Sequence, residues 1–297
     1  MKLDIADVAF QGFRLVWKKP LVLLAWALFY VVAIIVLIVG AALIVIVANG
    51  GNEAAWDDPG KIWFAFLFFV VGFLVLGAVL LCAAYRMVLR PEAGAWAYLR
   101  LGLTELRMTG LLLALIVIAI VVALLLSLIM GMFVMILFGG SPSGGAVGSV
   151  VTSLIVWALI AFLSVRFSLA GVVNFAEGRF GLSDSWDLTR GNFWRLFAIY
   201  LILLVWLIGI SLLGAFIGGV VQQALGMPNP WAALMPAGTA ATPAEVTPVN
   251  QLTGSLVVLG INVVLSAANT MILYAPHAAA YRALTRPAPE ATSDVFS

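Results

Sequence analysis

Six long apolar stretches, separated by shorter polar segments, dominate the chain. A helix needs about 20 apolar residues to cross a hydrocarbon core about 30 Å thick, whereas the strands of a membrane barrel are short and alternate in polarity. The stretches are continuous, and only the fourth is shorter than a full span. They predict an all-α membrane protein with six transmembrane helices, at residues 21–48, 62–85, 110–138, 149–165 (with a continuation to about 176), 196–225 and 252–281.

The composition excludes a water-soluble globular protein. Hydrophobic residues make up 64% of the 297 residues and charged residues 9%, whereas soluble domains average about 45–50% and about 25%. The net charge is only +2, so no nucleic-acid partner is expected. The single cysteine and single histidine leave no internal disulfide and no histidine pair for zinc or haem, so neither a metal nor another cofactor is predicted.

The basic residues lie almost entirely on one side of the predicted spans. Fourteen of the fifteen fall before the first span, between spans two and three, between spans four and five, or after span six, and Lys61 alone falls on the other side. The positive-inside rule places the crowded side in the cytoplasm, together with both termini. The segments 49–61, 139–148 and 226–250 are therefore predicted to face outwards.

An amphipathic segment precedes each pair of spans. In the first segment, polar residues recur at steps of three or four, at Asp4, Asp7, Gln11, Arg14 and Lys18. The second segment has its polar residues at Glu92, Arg100, Thr104 and Arg107. The third begins at Gly181, with Ser183 as its expected N-cap, and continues to Phe197. Helices of this kind are expected to lie in the headgroup plane.

The ends of two span pairs also match. AAYRMVLRPE, which begins at Ala83, resembles AAYRALTRPAPE, which begins at Ala279. These similarities predict three repeats of an interfacial amphipathic helix plus a helical hairpin, at about 1–90, 91–180 and 181–285. A short cytoplasmic tail, 286–297, follows, and the whole chain forms a single integral-membrane domain. The alternative is a chance match between basic, aromatic-rich interfaces, which membrane proteins commonly have.

The densest group of charges lies between the fourth and fifth spans. Arg166, Asn174 and Glu177 share a face if the fourth span continues as a helix. This charged group is either a structural network or a binding site for a lipid phosphate, because arginine forks match phosphate oxygens. Its members are Arg166, Asn174, Glu177, Asp184, Asp187, Arg190 and Arg195. The last two arginines are expected to reach Glu177 or anionic headgroups, and Trp186 is expected to pack against the end of a membrane helix.

A second candidate is a polar face within the sixth span. Asn262, Ser266 and Asn269 lie at steps of four and three, so they share one side of a helix. Hydrogen bonds between helices are the ordinary role of such residues, and a path for a transported substrate is the alternative. The sequence contains no nucleophile elbow, P-loop or zinc-protease motif, so no catalytic residue is predicted.

One segment carries a resemblance to a known group of proteins. RFSLAGVVNFAEGRFGLSDSWDLTRGNFWRLF, from Arg166, resembles the signature of bacterial six-span inner-membrane proteins, a largely uncharacterised group that includes the membrane domain of some glycerophosphodiester phosphodiesterases. The matching positions are Arg166, Glu177, Ser185, Trp186, Leu188, Thr189, Gly191, Asn192, Trp194 and Arg195. The group often has a proline where Gly171 and Val172 stand here. The phosphodiesterase barrel has no counterpart in this sequence, so the resemblance implies a module of the bacterial inner membrane and not that activity.

These patterns predict a multi-pass protein without catalytic activity that organises a membrane complex or the lipids around it. Its expected partners are membrane lipids, other membrane proteins or a second copy of itself. The alternative is a transporter or flippase-like carrier of a lipid or another amphiphile, which the polar face and the repeat symmetry favour.

Overall fold

A computed structural model describes residues 4–48, 59–92, 94–138, 142–225 and 248–285 of the chain. Within these ranges all regular structure is helical, which confirms the all-α prediction. A short helical turn, Ala95–Tyr98, precedes the fifth helix. The helices are α1 (Ile5–Ala9), α2 (Gln11–Lys18), α3 (Pro20–Ala48), α4 (Pro59–Leu89), α5 (Leu103–Phe138), α6 (Pro142–Phe167), α7 (Ala170–Glu177), α8 (Leu182–Thr189), α9 (Phe193–Ala224) and α10 (Pro248–Thr285).

Six helices of the described chain are long and apolar enough to cross a membrane, as predicted: α3, α4, α5, α6, α9 and α10. Most of them exceed the predicted spans. For example, α4 continues past Tyr85 to Leu89, because a helix keeps its own hydrogen bonds where it leaves the hydrocarbon layer. The predicted outer segments 49–61, 139–148 and 226–250 lie largely outside the described residues, and the tail 286–297 lies wholly outside them.

The segment before α5 differs from its prediction. Instead of an interfacial helix, the chain forms the turn at Ala95–Tyr98 and then an extended link, and α5 begins only at Leu103. Thr104 and Arg107 therefore belong to the first turns of the span helix itself. The amphipathic spacing of this segment predicted one continuous helix, which the backbone of the turn interrupts.

The segment before α9 is also divided. A turn in which Gly191 has a φ of 86° separates α8 from α9. Gly181 occupies the N-cap position of α8 without a side-chain cap, and Ser183 lies inside the helix, so the prediction of Ser183 as the cap is wrong. The threefold repeat remains a prediction.

The fourth apolar region continues to Glu177, in line with the predicted continuation to about 176, but it is not one uninterrupted helix. A turn at Ser168 and Leu169 separates α6 from α7. The Ser168 hydroxyl donates to the carbonyl oxygen of Val165 at 2.7 Å and so satisfies a carbonyl of the last turn of α6. Every residue of α7 from Ala170 to Phe175 is buried. This short helix is a packed part of the interior rather than the end of a lipid-facing span.

The chain divides into two compact units. Unit 1 contains the described residues within 4–8, 73–200 and 277–285. Within it, α4 is buried at every position from Ala78 to Val88, as expected for a helix that is surrounded on all sides. The helix α5 packs along α6, α7 packs on α5 and α8, and α8 packs on α6. The ion pairs of Arg86 with Glu105 and of Arg179 with Glu177 and Asp184 lie in this unit.

Unit 2 contains the described residues within 9–72 and 201–276. Trp26 and Ala267 are fully buried in it. At Gly12 in α2 the backbone of Ile272 in α10 lies so close that a side chain has no room, and glycine permits this approach. The interior of unit 2 is almost wholly apolar.

The helices α5 and α6 pack against each other, but most side chains of their apolar stretches remain exposed. No residue in the most apolar stretch of α5 is buried, and only 6% of the corresponding stretch of α6 is buried. An apolar surface of this size is not stable against water.

Candidate functional site at the helix ends of unit 1

Arg166, in the last turn of α6, lies in an aromatic pocket. Its guanidinium carbon is 4.8 Å from the ring centre of Trp186, 5.4 Å from that of Phe162 and 5.5 Å from that of Phe193. At these distances the negative faces of the rings attract the cation. No carboxylate of the described chain pairs with Arg166, and its Nε is buried without a hydrogen bond to a described residue. The pocket thus holds a positive charge without a described counter-charge.

Two buried hydroxyl groups fix α8 beside this pocket. Ser185 Oγ donates to the carbonyl oxygen of Arg166 at 2.7 Å, and Thr189 Oγ1 accepts from Arg166 Nη1 at 3.4 Å. Both side chains belong to fully buried residues. Trp186 packs on Phe162 with 6.1 Å between the ring centres, so it lies against the end of a membrane helix as expected. Four residues of the quoted signature therefore contact one another here.

A second group of charges is exposed. Arg179 donates from Nε and Nη2 to Glu177 Oε2, at 2.9 and 2.7 Å, and its Nη1 lies 2.7 Å from Asp184 Oδ2. The hydroxyl of Tyr281 donates to Glu177 Oε1 at 3.1 Å. The hydrogen bonds to Glu177, followed by those to Asp184, raise the pKa of Arg179 above its already high ordinary value. Water reaches the group, with 58% of the Arg179 side chain exposed.

The predicted members of the charged group lie in different surroundings. Arg166 lies in the aromatic pocket, Asn174 is fully buried in α7, and Glu177 is exposed beside Arg179. Their predicted common face is wrong, because the turn after α6 interrupts the helical period. Asp187, Arg190 and Arg195 form no ion pair with another described residue. The expected contact of the two arginines with Glu177 is therefore also wrong, whereas their alternative contact with anionic headgroups remains a prediction.

The C-terminus of α7 holds another arginine. Gly178 has a φ of 74° and ends the helix, and Arg107 Nη1 donates to its carbonyl oxygen. The positive φ favours glycine at position 178, and a Cβ there would lie 2.9 Å from that Nη1, so the guanidinium would have to shift. One turn earlier, the amide of Asn174 is fully buried, and neither of its polar atoms has a hydrogen-bond partner among the described residues.

A buried ion pair joins the end of α4 to the start of α5, and the sequence did not indicate it. Arg86 Nη2 bonds to Glu105 Oε1, and Arg86 Nη1 donates to the carbonyl oxygen of Tyr98 at 2.9 Å. The two charged side chains are 8% and 3% exposed. The available signal was a single acidic residue at the start of an apolar span, close in sequence to an arginine at the end of the preceding one.

The two AAYR motifs place their arginines in different contacts. Arg282, the counterpart of Arg86, donates from Nη2 to the carbonyl oxygen of Val88 in the last turn of α4. A basic side chain at this position satisfies a free carbonyl and complements the negative end of the helix. The motif by itself predicts neither contact, because it places both arginines identically.

The predicted polar face of α10 lies in unit 2. The amide nitrogen of Asn262 donates to the carbonyl oxygen of Val258 in its own helix at 2.8 Å, and Ser266 is exposed. Asn269 Oδ1 is buried without a hydrogen-bond partner among the described residues. Beside it, the hydroxyls of Thr270 and Tyr30 are 2.9 Å apart. The sequence pattern did not single out this last pair.

The Arg166 pocket has the chemistry of a phosphate site. A guanidinium whose N–H groups are not all paired can bind phosphate oxygens, and the neighbouring aromatic rings hold the guanidinium in place. Among the described residues, no three His, Cys, Asp or Glu side chains lie close enough together to hold a metal ion. No known protein family, curated protein or solved structure matches the chain.

Proposed function

We propose that this multi-pass protein has no catalytic activity and organises anionic lipids, and through them a membrane complex, in a bacterial inner membrane. One observation carries the proposal: the Arg166 guanidinium is held by three aromatic rings and has no carboxylate partner in the described chain. The phosphate group of a lipid supplies the missing negative charge. The ring-bound guanidinium is the group that binds it.

The position of Arg166 supports a lipid as the source of the phosphate. Arg166 stands in the last turn of a helix whose apolar surface is almost entirely open. Tryptophan and arginine at such a helix end favour the headgroup layer. The proposed relationship to the bacterial six-span group rests on the signature, of which Arg166, Ser185, Trp186 and Thr189 contact one another.

The proposed orientation places both termini and the Arg166 pocket in the cytoplasm, on the basis of the distribution of Lys and Arg. Single-cysteine labelling tests it in a Cys82→Ala background. Cysteines introduced at Gly144 and Gly238 are expected to react with an impermeant reagent from outside, and a cysteine at Ser183 only after lysis. Labelling of the first two only from the cytoplasm would overturn the orientation.

The lipid site is tested by thermal unfolding in detergent with and without phosphatidylglycerol. The lipid is expected to raise the Tm of the wild type, and Arg166→Ala is expected to abolish this rise. Arg179→Ala is the matched control, because that arginine already has two carboxylates and its variant should respond like the wild type. An equal response of all three proteins would contradict the proposal. Mass spectrometry of lipids and proteins that copurify from native membranes identifies the partners.

A carrier function is the second candidate, and the buried, unpartnered oxygen of Asn269 favours it. A transported headgroup could bind this oxygen next to the Thr270–Tyr30 pair. The test is scrambling of a fluorescent phospholipid in proteoliposomes. Loss of scrambling in Asn269→Leu, at unchanged stability, would support the carrier, whereas absence of scrambling in the wild type would exclude it.

A further inference from the structure

Three consecutive residues before α5 adopt the left-handed conformation, and none of them is glycine. The φ angles are 52° at Trp96, 55° at Ala97 and 66° at Tyr98. This region is disfavoured for residues with a Cβ, and runs of three are rare. Such backbone strain persists only where the surroundings hold it in place, and it often accompanies a function.

The surroundings here hold the turn from three directions. Arg86 donates to the carbonyl oxygen of Tyr98, Glu105 holds Arg86, and the hydroxyl of Tyr98 donates to the carbonyl oxygen of Pro91 at 3.0 Å. Tyr98 is thereby drawn into the interior and is only 4% exposed. The same conformation turns Trp96 outwards, where it is 90% exposed. A buried ion pair and two further hydrogen bonds thus fix a turn that displays an indole.

We infer that the turn at Ala95–Tyr98 holds the Trp96 side chain in the headgroup layer of the bilayer, as a membrane-interface anchor at the entry to α5. An exposed indole is costly in water, and its apolar ring with one N–H donor suits the boundary between hydrocarbon and water.

The neighbouring residues match a lipid surface. Leu101 lies two residues before α5, and Leu103 is its first residue. The two leucines are 77% and 78% exposed. Arg90 and Arg100 flank the turn and are exposed, and they suit the phosphates of anionic headgroups. Trp96 also stands at the first residue of the apolar region that continues through α5. Lipid is therefore the occupant that both the apolar and the charged neighbours favour.

Fluorescence of the full chain in vesicles of phosphatidylcholine and phosphatidylglycerol tests this inference. The emission of wild type minus that of Trp96→Phe isolates this one tryptophan among the ten. We expect the difference emission to be quenched by bromine atoms on the lipid acyl chains and to be protected from aqueous iodide. Quenching by iodide alone would place Trp96 in water, and quenching by neither would place it against protein. Either of these results overturns the anchor.

The role of the ion pair is tested in the same vesicles. Glu105→Ala removes the carboxylate that holds Arg86, so the bromine quenching of Trp96 is expected to fall. If this variant does not fold, Arg86→Met/Glu105→Leu tests the same point, because it removes both charges of the pair and leaves neither buried alone. Unchanged quenching in the folded variants would show that the Arg86–Glu105 ion pair does not position Trp96. The anchor and the Arg166 pocket are tested by different variants, so each can fail without the other.

Discussion

Two arginine–carboxylate pairs in unit 1 have the same chemistry in opposite surroundings. Arg86 and Glu105 are 8% and 3% exposed, whereas Arg179 and Glu177 are 58% and 35% exposed. Water replaces the partner of an exposed charge at little cost, but no water reaches a buried one. We therefore expect the buried pair to fix how α4 packs on the start of α5. Loss of a partner in the exposed group is expected to change little beyond the group itself.

The largest expected effect comes from breaking the buried pair. Glu105→Ala leaves the Arg86 charge buried without its partner, and it is expected to cost about 3–5 kcal/mol of unfolding free energy. Denaturant unfolding in detergent measures this loss. The double variant Arg86→Met/Glu105→Leu removes both charges and is expected to lose less than Glu105→Ala. A double variant less stable than the single one would contradict this account.

The second-largest loss of stability is expected at two glycines that differ in how closely other atoms approach them. Gly178 and Gly191 both have positive φ, but a Cβ meets Arg107 at the first and nothing within 4 Å at the second. Alanine at either position is expected to cost about 1–2 kcal/mol for the left-handed backbone. Gly178→Ala should cost more, because it also displaces the guanidinium. Equal losses in thermal unfolding would show that the Arg107 contact contributes nothing.

A smaller effect is expected within the left-handed turn that the buried pair fixes. Ala97→Gly removes the Cβ that disfavours a φ of 55°, and the gain is partly offset by the entropy of glycine in the unfolded chain. The net result is a change between about 0 and 1 kcal/mol in favour of the variant. Ala78→Gly, in the buried part of α4, is the control and should destabilise by about 1 kcal/mol. Equal losses in both variants would argue against the left-handed conformation.

The smallest effect is expected at the exposed group. Arg179→Ala should leave the Tm unchanged within error, and added salt should not alter that result. The pKa of Arg179 is raised by its hydrogen bonds to Glu177. Any stability linked to its charge is therefore present at all pH values below the ordinary arginine pKa and is lost only at more alkaline pH. A difference between variant and wild type in Tm that varies across the neutral range would contradict this.

The number and type of the spans were predictable because they depend on local quantities. A stretch of about 20 apolar residues must satisfy its own backbone hydrogen bonds in lipid, so length and hydropathy identify a helix without knowledge of its neighbours. The break between α6 and α7 was not predictable, because apolar residues continue through it.

The partners of the charges depended on segments that are distant along the chain. Nothing in the helical spacing shows that Glu105 bonds to Arg86, that Arg107 reaches Gly178, or that the charge of Arg166 is covered by aromatic rings. The packing of α4, α5, α7 and α8 sets these contacts. A buried charge pairs with whichever group that packing brings within hydrogen-bond distance, and the cost of leaving it unpaired makes the pairing specific.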